Sequence, residues 1–177
     1  MFKKKRYDGY KAFGYLEPGF DYKEFKLTGG HTRVEPYYVP LSKSEEERFA
    51  AFVEDNIIIS LHEHPYLFPE DMSQLVEYAN AGRCFTAYEA LSQSGLDCVF
   101  DNLLNGFAWI TSYAGWKWTD VIHDIGIRLS DIRHQEMLAP CTSVENIKTA
   151  FSEDRIAHVL CLDSATPIEN ELDRIEG

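Results

Sequence analysis

No stretch of this sequence approaches the ~20 consecutive apolar residues that a bilayer-spanning helix needs, so a membrane span is excluded. Basic residues are scarce. Against 29 Asp and Glu stand only 17 Lys and Arg, a net charge of -12. Nucleic-acid recognition relies on a concentrated basic face, and the one cluster here is Lys3-Lys4-Lys5-Arg6. That cluster runs into aromatic residues rather than the apolar core of a secretory signal, so a soluble cytoplasmic protein is expected. Cys84, Cys98, Cys141 and Cys161 form no C-x-x-C pair, which argues against a zinc knuckle or a disulfide framework and for reduced thiols. The absence of a Gly-rich phosphate loop and of a G-x-S-x-G elbow weighs against nucleotide enzymes and serine hydrolases.

What is present suffices for one core: 177 residues, 45% of them hydrophobic. Residues 1–43 are rich in Tyr, Phe, Gly and Pro without periodicity and read as an aromatic arm packed on the main body, which spans 44–177. Ser44 and Glu47 suggest a capping box, followed by an apolar stripe of Phe49, Phe52 and Val53. Ile57-Ile58-Ile59 reads as a strand buried on both faces. A helix is expected from Pro69 to Asn80 and another from the Thr86/Glu89 box to Gly95, then a second strand in "GLDCVFDNL". The segment from Thr119 to about Met137 is an amphipathic helix in which Val121, Ile122, Ile125, Leu129 and Ile132 face inward and the Asp124–Arg128 pair faces solvent. A helix capped by Thr142 and Glu145, a third strand in "RIAHVLCLD" and a final helix from Thr166-Pro167 complete the series.

Strands alternating with helices mark βαβ units on a parallel sheet. The expected fold is therefore α/β, of the (β/α)8 TIM-barrel type. Such a barrel takes about 250 residues, so this chain is expected to supply roughly its first three βα units after the irregular arm.

The chemistry concentrates in His62-Glu63-His64, which ends the first strand. Side chains two apart on a strand share a face, roughly 7 Å along the backbone, so two imidazoles can reach one cation while Glu63 points away. Parallel α/β folds place their sites at these carboxyl ends. Asp163 ends the third strand in the same way and offers a carboxylate to complete the set. Asp101, closing the second strand, faces either this site or a polar turn. His158 reads as a sheet histidine, and His123 and His134 as part of a solvated helix face.

The segments "IIISLHEHP" and "RIAHVLCLDSATPIENELDRIEG" together resemble the membrane dipeptidase (renal dipeptidase) family of metal-dependent hydrolases. In that family a strand ends in His-x-Asp and a later one in Glu, before a helix with a Pro-x-x-(Asn or Glu)-(Asp or Glu)-Leu-Asp type opening. The likeness covers about residues 55–70 and 155–177. It implies a (β/α)8 barrel that holds two zinc ions and cleaves dipeptides with a metal-activated water. His62 matches the first metal ligand, His64 stands where the family has Asp, and Asp163 stands where it has the Glu that bridges both metals. Asp163 would thus be catalytic as well as a ligand. The family's remaining ligands come from later strands, so the rest of the barrel or a second chain is an implied partner, beside a small dipeptide-like substrate and possible self-association. Two alternatives stay open: an amidohydrolase acting on a non-peptide amide or lactone, and a non-catalytic barrel piece that binds a partner.

Overall fold

The structure is a computed structural model that describes residues 5–30, 34–35, 37–103, 117–162 and 165–175. In chain order its regular elements are helix α1 (Lys43–Asp55), strand β1 (Ile59–Glu63), α2 (Leu75–Asn80), α3 (Tyr88–Gln93), β2 (Cys98–Leu103), α4 (Trp118–Ile132), β3 (Leu138–Pro140), α5 (Val144–Ser152) and β4 (Ile156–Leu162). The four strands form one parallel sheet in the order β1-β2-β4-β3, so the fold is α/β. The three longer strands are those expected from the sequence, and they pair in chain order. Strand β3 was not anticipated: at three residues ending in Pro140 it carries almost no periodic signal, and it docks on the outer edge of β4.

Alternation along the strands divides the sheet into two faces. Val99 and Ile156 pack with Ile132 of α4, with Tyr88 and Leu91, and with Ala12 and Phe13 of the arm. On the opposite face Cys98 and Ala157 pack with Cys141 and with Ala150 of α5. One carboxylate makes two of the arm's hydrogen-bonded contacts with the body. Asp131, 1% exposed, accepts hydrogen bonds from the Tyr10 hydroxyl, the Phe13 amide and the Tyr88 hydroxyl, each at 2.7 Å. Farther up the chain Lys5 forms a buried ion pair with Asp97, which also accepts the Ile58 amide at 2.9 Å.

Several local expectations are corrected. Helix α1 starts at Lys43, because Ser42-x-x-Glu45 offers the same capping spacing two residues earlier; the Ser42 amide donates to the Glu45 carboxylate at 2.7 Å. Phe49 and Phe52 are exposed and only Val53 is buried. Strand β1 begins at Ile59 and is an edge strand, which leaves Ile59 46% and Leu61 71% exposed rather than buried on both faces. The helix expected from Pro69 is delayed, since Asp71 caps a 3-10 turn at Met72–Gln74 by accepting the Ser73 amide. In α3 no side-chain cap forms, and α5 is capped by Ser143 rather than Thr142. The final helix is instead two 3-10 turns, Thr166–Ile168 and Leu172–Ile175, because Glu169 and Asn170 adopt positive φ between them.

Helix α4 holds the largest surprise. Its Arg128 and Asp131 are buried, while Ile122 is 53% exposed. The Asp124–Arg128 side of the face read as solvated turns inward, while His123 and His134 stay exposed.

None of the four cysteines is in a disulfide. Burial pushes the Cys84 thiol up to about 12 and that of Cys98 up to about 11. Because the thiolate is the nucleophile, native-state iodoacetamide labelling of both at pH 8 is expected to run at least about a hundredfold slower than in the denatured chain. Peptide mass spectrometry would read this, and equal rates would contradict the raised thiol pKa values.

Candidate functional site

Strand β1 does not pair evenly with β2. Ser60 lies opposite Val99 and Glu63 opposite Asp101, so β1 advances three residues where β2 advances two. This irregularity is a bulge, and it re-aims the side chains beyond it. Ser60 and Glu63, which a regular strand would point to opposite faces, come together, with the Ser60 hydroxyl donating to the Glu63 carboxylate at 2.6 Å. By the same register His64 is level with Asn102, on the face opposite Asp101.

The two histidines converge. Their Nε2 atoms lie 3.1 Å apart and their rings are nearly perpendicular, at 87°. His64 Nδ1 sits 2.8 Å from the Asn102 carbonyl oxygen, which can only accept, so Nδ1 carries the proton. In the neutral ring, Nε2 of His64 therefore bears a lone pair, and it accepts a hydrogen bond from the Nε2–H of His62. Two imidazoles on a tetrahedral zinc, at about 2.0–2.1 Å each, have nitrogens about 3.3 Å apart. The observed separation is close to that. A ring N–H donated to a backbone carbonyl is also the usual outer support of a metal-bound histidine.

Behind the pair, on the other face of β2, lies a buried charged network. Asp101 is 1% exposed. Its Oδ1 accepts the Tyr66 hydroxyl, and its Oδ2 accepts Arg128 Nη1 at 3.0 Å and His158 Nε2 at 2.9 Å. Arg128 also reaches both oxygens of Asp124, at 3.2 and 3.3 Å, and its guanidinium lies 4.1 Å from the centre of the Tyr66 ring. Burial alone would push the Asp101 carboxyl up, but Arg128, with the hydrogen bonds from His158 and Tyr66, holds it below the usual carboxylate range. For Asp124 burial wins over Arg128 and the carboxyl moves up. His158 is thus a sheet histidine with a structural partner; its Nδ1 is buried and has no hydrogen-bond partner among the described residues.

The structure brings His62 and His64 together. Asp163 lies outside the described residues; it follows Leu162, the last residue of β4, which pairs with Leu103. Among the described residues no group of three or more His, Cys, Asp and Glu side chains is placed to hold a metal. Asp101 faces neither the histidines nor a polar turn: it is the hub of the network on the far face. His123 and His134 are exposed on and beyond α4, with Tyr15 stacked on His134 at 4.0 Å.

Sequence reasoning missed the roles of Tyr66, Asn102 and Arg128. Asn102 acts through its carbonyl, which no side-chain pattern reveals. Arg128 did leave a signal, since it interrupts the apolar spacing of α4 on the side of Ile125 and Ile132.

No helix among the described residues is long and apolar enough to cross a membrane. No protein-family model matches the chain, and neither a curated protein nor a solved structure matches it.

Proposed function

We propose that this chain carries part of a zinc-dependent hydrolase centre at the carboxyl rim of its parallel sheet, held by His62, His64 and Asp163 and acting on small dipeptide-like amides. The observation that carries this reading is the approach of the two Nε2 atoms to 3.1 Å with the His64 tautomer fixed by the Asn102 carbonyl. Zinc at this rim would supply Lewis acidity and an acidified water. His62 and His64 supply the neutral nitrogen donors. Asp163 supplies the carboxylate that orients the water and takes up its proton. The absence of any Ser or Cys nucleophile motif fits a centre that needs none.

The finer fold belongs to the same proposal: β1, β2 and β4 are the opening strands of a (β/α)8 barrel. Although β3, seated on the outer edge of β4, departs from the consecutive strand order of such a barrel, the parallel pairing of β1 on β2 and of β2 on β4 supports it. So does edge strand β1, whose exposed Ile59 and Leu61 call for a further strand-bearing element, from the remainder of the barrel or a second chain.

The test is a panel of dipeptides, other small amides and lactones offered to the zinc-loaded protein in its complete assembly. Chelator-sensitive dipeptide cleavage is expected, with at least a hundredfold loss of kcat/KM in Asp163→Asn. Turnover of lactones alone would redirect the reading to the wider amidohydrolases, and activity indifferent to chelator would end it.

A further inference from the structure

The segment that follows the histidine pair is anchored more firmly than a surface turn requires. After Glu63 the chain folds back, with the Tyr66 amide donating to the His64 carbonyl at 2.7 Å and the Ala87 amide to the Pro65 carbonyl at 2.8 Å. The Tyr66 side chain is 6% exposed, donates its hydroxyl to Asp101 and lies under the Arg128 guanidinium. The residue after Asp101 is Asn102, whose carbonyl receives His64 Nδ1. A closed ring of contacts results: His64 to Asn102, Asn102 to Asp101 along the backbone, Asp101 to Tyr66, and Tyr66 back to His64 through Pro65. Asp101 cannot turn within this ring, because its second oxygen is held by both Arg128 and His158.

From this ring we infer that Tyr66, acting through Asp101, is a positioning residue for the histidine pair, fixing the height and the tautomer of His64; the inference rests on the zinc reading above. The pair itself is exposed at His62 and partly covered at His64. The restraint comes from the opposite face of the sheet. Without the tyrosine hydroxyl, the turn at Pro65 loses its tie to β2, and the ring of His64 has one support where it had two.

The experiment is zinc titration of the full chain, wild type against Tyr66→Phe, with Asp101→Asn as a second variant that keeps the carboxylate's shape. Both are expected to bind zinc about tenfold or more weakly, the range typical for loss of a group that supports a metal ligand. Nitrogen-15 spectra of the metal-free Tyr66→Phe protein are expected to show the Nδ1–H form of His64 losing its dominance. Asp131→Asn, which weakens the arm's anchor far from the histidines, is the control: it should lower Tm while leaving zinc affinity within twofold. Tyr66→Phe binding zinc as tightly as the wild type, or Asp131→Asn weakening it equally, overturns the positioning role alone. A wild-type chain that binds no zinc overturns the metal reading and this inference with it.

Discussion

Arg128→Met is expected to destabilise the fold by ~3–5 kcal/mol, about 10 °C in Tm for a chain of this size. The substitution keeps most of the side chain's length and removes only its charge and donors. What it leaves behind sets the magnitude. Asp101, 1% exposed, loses the cation at 3.0 Å, and Asp124 loses both of its guanidinium contacts. Asp101 then remains where water is largely excluded, with Asp124 half-buried beside it, and an uncompensated buried charge is among the costliest single defects. The loss also depends on pH, and its sign follows from Asp101. Its carboxyl is held below the usual range in the folded protein, so the stability it contributes is present above about pH 4 and is lost as pH falls through the depressed folded value. The gap between wild type and Arg128→Met should therefore be full at pH 7 and narrow in acid. Thermal unfolding at a series of pH values would check both points. Lys26→Met, which breaks the exposed pair with Glu70, is expected to leave Tm unmoved.

Much of this arrangement was legible in the sequence. The second strand and β4 announced themselves by apolar runs bounded by turn residues, β1 lies just beyond the isoleucine run that pointed to it, and the parallel pairing followed from the helices between them. The His-x-His spacing was enough to place two imidazoles on one side of β1, and the bulge between Ser60 and Glu63 leaves that pairing intact. The errors have a common physical origin. Periodicity reports whether a position is apolar, not whether a polar one is paired. Arg128 and Asp124 were assigned to solvent because charges usually stay there, yet Arg128 is buried and Asp124 half-buried, and the two are paired with each other and, through Arg128, with Asp101. The edge position of β1 was hidden for a different reason: three consecutive isoleucines look the same whether one face or both are covered. Glu169 and Asn170, whose left-handed backbone ends the last helix early, sit in a sequence with good start signals and no glycine to mark the stop.

The central claim of the proposal is that two imidazoles meet on one cation, and His64→Ala and His62→Ala should have the largest effects on it. Losing the His64 ring removes half of the nitrogen donors and the one whose tautomer is fixed by the Asn102 carbonyl. With one of its two imidazoles gone, the site is expected to lose at least a hundredfold in zinc affinity, with His62→Ala equivalent and the fold unchanged because both side chains lie at the rim of the sheet. The direct measurement is zinc titration of the wild type and of these two variants by calorimetry. Saturable zinc binding by the wild type, lost in either variant at an unaltered Tm, is the result the proposed zinc site predicts; binding that persists undiminished in both would contradict it.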